Sequence, residues 1–190
     1  RRSLIKRAMK QCNITDKQIK PAAASGIISA EKNKLNDPAA VIASAQYPYQ
    51  QAVGQIYQTY EQLKQQAGAL DFDDLLLQTV QLLRTQPSVR RKWQAQFQYI
   101  LIDEYQDTNA AQYEIVSLLV GEQKNICVVG DDWQSIYSWR GADFKNILRF
   151  EQDYPGAAVV KLEQNYRNTG AILAAAQSVI TKNKERTSKT

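Results

Sequence analysis

The fold is decided by residues 99–107, whose sequence is Tyr99-Ile100-Leu101-Ile102-Asp103-Glu104-Tyr105-Gln106-Asp107. The apolar part is short and rich in β-formers, which favours a buried parallel strand that ends at Asp103. Ligands of open α/β sheets bind at such carboxyl ends. A nucleotide–metal site is therefore predicted, with Asp103 holding Mg²⁺ and Glu104 orienting or deprotonating a water molecule. The alternative for an arbitrary Asp-Glu pair is that Asp103 caps a turn and Glu104 is merely solvated.

Composition narrows the class of protein. The 190 residues are 44% hydrophobic, enough for the core of one ordinary domain, with or without a helical appendage. The chain begins with Arg1 and has no apolar stretch of membrane length, so we expect a cytoplasmic piece of a longer protein with no membrane partner. With no histidine, and only Cys12 and Cys127 as reduced thiols, the usual zinc sites and Ser-His or Cys-His nucleophiles are excluded. The net charge of +5 fits a polyanion such as nucleic acid but decides little alone.

The pattern of the chain changes near residue 70. Before it, helical spacing dominates, and one long amphipathic helix follows Pro48, with the apolar residues Val53, Ile56, Tyr57, Tyr60 and Leu63. The segment 21–38 is small and polar, which predicts a loop, a short helix and a turn. Asp71 is predicted to cap the next helix, whose apolar face would comprise Phe72, Leu75, Leu76, Val80 and Leu83.

Three apolar runs after residue 98 predict strands, at residues 99–102, 126–129 and 158–162. Helical patterns lie between them and after them. This alternation predicts an α/β fold with parallel strands flanked by helices, preceded by a helical segment.

Two further polar segments follow predicted strands. In residues 130–142, Gln134 could report on a phosphate or a water molecule, and Tyr137, Trp139 and Arg140 offer stacking faces and a cation. The alternative packs Ile136 and Trp139 into a core and pairs Arg140 with Asp131 or Asp132. In residues 162–168, Arg167 could reach a phosphate bidentately or form an ordinary salt bridge at a helix start.

Taken together, these segments resemble the UvrD/Rep/PcrA family of superfamily 1 DNA helicases over about residues 70–180. Residues 71–76 resemble the segment that leads back into the family's first motor domain. Residues 103–108 resemble its Walker B motif, residues 130–142 its third motif, and residues 165–167 its fourth.

The resemblance implies part of a RecA-like P-loop NTPase motor domain. Residues 1–69 would be a helical segment of the helicase 1B insertion, and residues 70–190 the C-terminal portion of the first motor domain, 1A. Asp103 would bind Mg²⁺, Glu104 would activate the water that attacks the γ-phosphate of ATP, and Gln134 would sense that phosphate. The resemblance also implies that Tyr166 stacks on adenine and that Arg167 contacts the γ-phosphate. Single-stranded DNA would contact Tyr137, Trp139, Arg140 and Phe72. For Phe72, core packing is the favoured role, because this residue lies on the apolar face of its predicted helix.

The sequence also departs from the family pattern. It contains no Gly-x-x-x-x-Gly-Lys-Ser/Thr loop and no motif of the second motor domain, and Asn168 stands where the family commonly has serine. We therefore expect a fragment of an ATP-dependent 3′-5′ helicase that acts on single-stranded and forked DNA in repair or replication. The fragment alone is predicted to be inactive without the rest of the helicase chain, and an open sheet edge would favour self-association.

Two alternatives remain at this stage. One is a metal-dependent nuclease with Asp103, Glu104 and Asp107 as ligands, a reading that leaves Gln134, Tyr166 and Arg167 without a role. The other is a non-enzymatic DNA-binding or interaction module derived from a helicase, in which an intact Glu104 would be of little use.

Overall fold

The computed structural model describes residues 1–138 and 141–182. Trp139 and Arg140, both predicted to bind DNA, lie outside the described residues. The helices are α1 (Arg2–Gln11), α2 (Pro21–Asn33), α3 (Pro38–Ala43), α4 (Pro48–Gln66), α5 (Phe72–Thr85), α6 (Pro87–Gln96), α7 (Ala110–Val120), α8 (Lys145–Leu148), α9 (Phe150–Asp153) and α10 (Gly170–Ile180). The strands are β1 (Ile100–Ile102) and β2 (Ile126–Val128). No helix in the described ranges is long and apolar enough to cross a membrane.

The chain divides into two compact units. Unit 1 comprises Arg1–Tyr99 and Asn109–Gln123, and unit 2 comprises Ile100–Thr108 and Lys124–Thr190. Unit 1 is helical, and its core lies among α1, α2 and α4. The predicted long helix is confirmed as α4, because all five of its predicted apolar residues are buried.

The prediction for residues 21–38 is wrong in part. They contain α2, a regular helix of 13 residues that starts at Pro21, where proline costs no hydrogen bond. Ala24 and Ile28 are fully buried one helical turn apart, so this helix packs into the core. Small residues hide such a face in the sequence, because alanine contributes little to a hydrophobic pattern.

A network of buried charges joins α2, α4 and α5 within unit 1. The Lys32 ammonium lies 2.9 Å from Asp71 Oδ2, 2.5 Å from Asp74 Oδ1 and 2.8 Å from Glu61 Oε1. The Lys64 ammonium binds the same Asp74 and Glu61 carboxylates. Burial opposes the charge of Lys32, but the hydrogen bond to Asp74 and those to its other partners outweigh it and raise its pKa well above the usual value.

The start of α5 is as predicted, but its apolar face is confirmed only in part. Asp71 accepts the Asp74 N–H at 2.9 Å, and Asp74 in return accepts the Asp71 N–H at 2.7 Å, which forms a capping box. Val80 and Leu83 are buried, whereas Phe72 is 88% exposed, so the predicted core packing of Phe72 is wrong. Two residues before the buried Asp74, Phe72 is turned about 200° away from it around the helix.

Unit 2 contains the sheet, in which β1 and β2 are parallel neighbours with Ile100 opposite Ile126 and Ile102 opposite Val128. The first two predicted strands and their parallel pairing are confirmed. The third is wrong, because residues 158–162 form no strand and are exposed. A strand exists only through hydrogen bonds to a neighbour, and no described segment pairs with these residues.

Candidate functional site

The turn after β1 places the two predicted carboxylates side by side. Asp103 Oδ1 accepts the Glu104 N–H at 2.9 Å. Glu104 has φ 53° and ψ 41°, a left-handed conformation that is uncommon for residues other than glycine and is concentrated at functional sites. Both side chains are exposed. The carboxylates at the end of β1 are therefore accessible to a ligand.

Gln106 lies beneath this turn and is completely buried. Its side-chain Nε2 donates a hydrogen bond to Glu104 Oε2 at 2.7 Å. Its Oε1 accepts the backbone N–H of Asp131, in the loop after β2, at 3.0 Å. One buried amide thus connects the segment after β1 with the segment after β2.

The loop after β2 is organised by Asp131. Its Oδ1 accepts the Trp133 N–H at 3.0 Å, and its Oδ2 accepts the Gln134 side-chain N–H at 3.0 Å. Gln134 is exposed, and its side-chain amide is held by the bond to Asp131. We call the bonded series Glu104–Gln106–Asp131–Gln134 the site relay.

Gly130 lets the two segments approach closely. A Cβ atom built at Gly130 would lie 2.8 Å from Ile147 Cδ1 and 3.2 Å from the Tyr105 nitrogen, and it would overlap Gln106 Oε1. Any larger residue would have to push one of these groups away. The glycine is thus required by packing against the site relay.

Helix α8 and its preceding loop hold the end of the turn that carries Gln106. The Asn146 side chain donates to the carbonyl and to the hydroxyl of Thr108, both at 3.1 Å, and Asn146 is buried. The Asp143 N–H also donates to the Thr108 carbonyl, at 3.0 Å. These bonds hold Thr108, the residue that follows the 3₁₀ turn Tyr105–Asp107, and so fix the end of that turn.

The Asp107 carboxyl lies in the turn that follows Glu104. Burial, and after it the negative charge of Glu104, raise the pKa of its carboxyl above the usual range. Its Oδ1 is buried and has no hydrogen-bond partner among the described residues.

Asp103 suits a magnesium ion that is shared with phosphate oxygens. One of its oxygens is occupied by the Glu104 N–H, and no described residue bonds the other. A single hard carboxylate oxygen is the protein contribution that Mg²⁺ takes when phosphates and water supply the other ligands. Within residues 1–138 and 141–182, no three Asp, Glu, Cys or His side chains are grouped to hold a metal, so the ligand set of the nuclease alternative is not formed.

The segment before α10 is ordered locally. Asn165 Oδ1 accepts the N–H groups of Arg167 and Asn168 at 2.9 and 2.8 Å. Tyr166 is 92% exposed. Of the predicted ATP residues, the structure links Asp103, Glu104 and Gln134, whereas no hydrogen bond among the described residues joins Tyr166 or Arg167 to them.

The predicted DNA residues that the structure describes are both exposed. Tyr137 follows the site relay in the loop after β2, and Phe72 lies at the start of α5 in unit 1. Ile136 is 70% exposed, so the alternative in which it packs into a core is wrong. No role for Gln106 follows from the sequence alone. The one local indication of such a role is that a polar residue stands two positions after Glu104, beside Tyr105 in the same turn.

Comparison with known proteins fits this arrangement. The model of the UvrD/REP helicase N-terminal domain matches residues 1–155, so most of the chain is a helicase N-terminal region. The chain belongs to the UvrD/REP helicase family, which confirms the resemblance.

The relatives are bacterial helicases. Over 185 residues, or 97% of the chain, it is 49% identical to the ATP-dependent DNA helicase PcrA of Staphylococcus aureus. It is 46% identical to the protein of the same name from Leuconostoc citreum over 188 residues, or 99% of the chain. The chain spans about a quarter of the length of these relatives.

Proposed function

We propose that this chain is part of an ATP-dependent DNA helicase that moves 3′-5′ on single-stranded DNA. Residues 70–190 form the C-terminal portion of a RecA-like motor domain, 1A, and residues 1–69 belong to the helical 1B insertion. The observation that carries the proposal is the site relay, because it ties a candidate catalytic carboxylate to a candidate phosphate sensor. Identity to helicases over 97% of the chain supports it.

The hydrolytic step is assigned to Asp103 and Glu104. Asp103 holds Mg²⁺, which when bound neutralises the charge that develops on the phosphates. Glu104 accepts a hydrogen bond from the attacking water and takes its proton. Gln106 occupies only one carboxylate oxygen of Glu104, so the other oxygen is left for water.

Contacts with the bound nucleotide are assigned to three further residues. Gln134 contacts the γ-phosphate through its amide, and its bond to Asp131 holds it ready. Tyr166 stacks on the adenine base, and its exposed ring is accessible for this role. Arg167 stabilises the negative charge on the γ-phosphate in the transition state.

DNA binding is assigned to Tyr137, Trp139 and Arg140, with Phe72 as a further contact. Bases stack on aromatic rings without sequence preference, and arginine adds a cation. Because Gln134 and Tyr137 belong to one loop, a change at the phosphate is passed directly to the DNA contact. This is the proposed coupling of hydrolysis to movement.

The chain by itself is proposed to be inactive. Its sequence has no Gly-x-x-x-x-Gly-Lys-Ser/Thr loop, which in P-loop enzymes supplies the backbone cradle and the lysine for the phosphates. The rest of the helicase completes the ATP site, and we expect an open sheet edge to favour self-association of the isolated chain. Forked DNA, a role in repair or replication and a cytoplasmic location belong to the same proposal.

The proposal is tested by steady-state ATP hydrolysis of the full-length protein with and without single-stranded DNA. Glu104→Gln should lower DNA-stimulated turnover by about 10²- to 10⁴-fold and leave ATP binding intact, because only the proton acceptor is lost. Trp139→Ala should weaken DNA binding by about 1–3 kcal/mol for each lost stack and reduce the stimulation.

Trp93→Ala is the matched control, since Trp93 stacks on Phe97 outside all the motifs and should leave the DNA response unchanged. If the wild type shows no turnover, or Glu104→Gln retains it, the hydrolytic assignment is wrong. In that case DNA binding that does not respond to nucleotide would support a binding module instead.

A further inference from the structure

We infer that Gln106 is the positioning residue that fixes the Glu104 carboxylate for hydrolysis and ties it to the loop that carries Gln134. The inference rests on the proposed function, in which Glu104 acts on water. Gln106 itself touches neither nucleotide nor DNA in this account. Its role is to make the position of one side chain depend on the position of the other.

The geometry gives Gln106 two different bonds, one at each end of its amide. The NH₂ group donates to Glu104 at 2.7 Å, a distance typical of a hydrogen bond to a charged acceptor. The carbonyl oxygen accepts from the backbone of Asp131 at 3.0 Å. Gln106 is fully buried, so its own amide is shielded from water.

The two bonds need one donor and one acceptor at the end of the same side chain, and an amide supplies both. Glutamate has two acceptors and no donor when ionised, methionine has neither group, and lysine donates but cannot accept. An amide is also neutral, so it orients the Glu104 carboxylate without pairing its charge. Both features suit a group that must hold a proton acceptor in place.

The surroundings make Glu104 depend on this bond. Its side chain is exposed, and no other described residue bonds the carboxylate, which would otherwise move among several rotamers. Its left-handed backbone is held by the turn that contains Gln106. A displacement of Asp131 would therefore pull on Gln106 and change where the Glu104 carboxylate lies.

The test is the Gln106→Glu variant of the full-length protein. It keeps the acceptor for Asp131 and replaces the donor with a second negative charge that repels Glu104. We expect kcat for DNA-stimulated ATP hydrolysis to fall about ten- to a hundredfold, the usual effect of losing a hydrogen bond to a charged group. The KM for ATP and the dissociation constant of a non-hydrolysable ATP analogue should change less than about threefold, because Gln106 makes no contact with the nucleotide.

Gln112→Glu is the matched control. Gln112 is also bonded to the backbone, but there only its oxygen is used, as acceptor of the Asn109 N–H at 3.0 Å. Glutamate performs the same capping task, so kcat should stay at the wild-type value. A general sensitivity to added negative charge would instead lower kcat in both variants and overturn the inference.

A swapped double variant, Glu104→Gln with Gln106→Glu, guards against a simple folding defect. It restores the bond with reversed polarity, since the new amide at 104 can donate to the new carboxylate at 106. Its melting temperature should return toward the wild type from that of Gln106→Glu, while turnover stays absent. If the melting temperature does not recover, the two side chains are not bonded as described and the inference is wrong.

The inference and the proposed function fail in different ways. If the wild type is active and Glu104→Gln is not, but Gln106→Glu retains wild-type kcat, only the role of Gln106 is wrong. If Glu104→Gln is fully active, the proposed function fails before Gln106 is reached.

Discussion

The two units of this chain treat carboxylates in opposite ways. In unit 1, Asp71 and Asp74 are withdrawn from water and compensated by the buried ammonium groups of Lys32 and Lys64. In unit 2, Asp103 and Glu104 are exposed, and the side-chain group that holds Glu104 is a neutral amide.

The difference separates stability from function. A charge removed from water needs an opposite charge beside it, so the carboxylates of Asp71 and Asp74 are fully occupied by the fold. A carboxylate that must receive a metal ion or a water molecule has to be held without being neutralised. A buried amide does this, because it supplies direction and no charge.

The largest effect should come from removing one cation of the buried network. Lys32→Met preserves the length of the side chain but leaves Asp71 and Asp74 with one ammonium between them. Breaking a buried pair on one side costs about 3–5 kcal/mol of unfolding free energy, measurable by urea unfolding.

Lys34→Met is the matched control for this variant. Lys34 is an exposed residue of the same type whose partner is Glu31 at 3.0 Å, and its removal should cost less than about 0.5 kcal/mol. A loss below about 1 kcal/mol in Lys32→Met would mean that the network does not stabilise unit 1.

The next effect is a dependence of stability on pH in unit 1. Burial raises the pKa of Asp71, but hydrogen bonding and attraction to Lys32 outweigh it and hold the pKa below the usual range. A lowered pKa gives stability that is present above the unfolded value of about 3.9 and is lost as the pH falls through the folded value. The urea midpoint should therefore fall in acid.

The alkaline side has the opposite sign. The raised pKa of Lys32 gives stability that is complete below its unfolded value of about 10.4 and is lost only as the pH rises through its folded value. Unit 1 should thus show no loss from these two groups between about pH 5 and pH 9. In Lys32→Met the acid-dependent loss should shrink, because Lys32 is the main cause that lowers the pKa of Asp71. An unchanged acid profile would contradict the assignment.

A smaller loss of unfolding free energy is expected at Gly130 in unit 2, where close packing rather than charge holds the structure. Gly130→Ala should cost about 1–3 kcal/mol, because the added methyl group has no space between Ile147 and the Gln106 amide. It should also lower ATP turnover of the full-length protein by displacing Gln106. Gly26→Ala is the control, since nothing lies within 4 Å of its Cβ position and α2 should gain about 0.5–1 kcal/mol. Equal effects of the two substitutions would contradict the packing argument.

Local signals predicted much of this fold. Three features depend on residues that are close in sequence, and the structure confirms them. They are the helical spacing of α4, the cap at Asp71 and the two short strands. The burial of Lys32 in α2 does not follow from the local sequence, because it depends on acidic residues 39 and 42 positions away. Nothing in the local pattern of α2 indicates that an ammonium group lies in its buried face.

The site shows the same limit. Residue types at strand ends predict that Asp103, Glu104 and Gln134 belong to one site, and the roles of these residues stay predictions. The Gln106 bond could not be predicted, because its acceptor end depends on the distance between two loops that are 25 residues apart in sequence. Residues 158–162 show the converse, since a strand-like run stays unpaired when no segment of the described residues pairs with it.

The smallest effect is expected for an ion pair on the surface of unit 1, which can be compared with the buried network of the same unit. Arg84 contacts Glu114 at 2.9 Å between α5 and α7, but half of its side chain is exposed. Water and salt screen such a pair, so Arg84→Ala should cost only about 0.2–1 kcal/mol, and less at high ionic strength. Arg91→Ala, on an exposed residue of α6, should cost nothing measurable. If Arg84→Ala cost as much as Lys32→Met, burial would not be what separates the two kinds of charge.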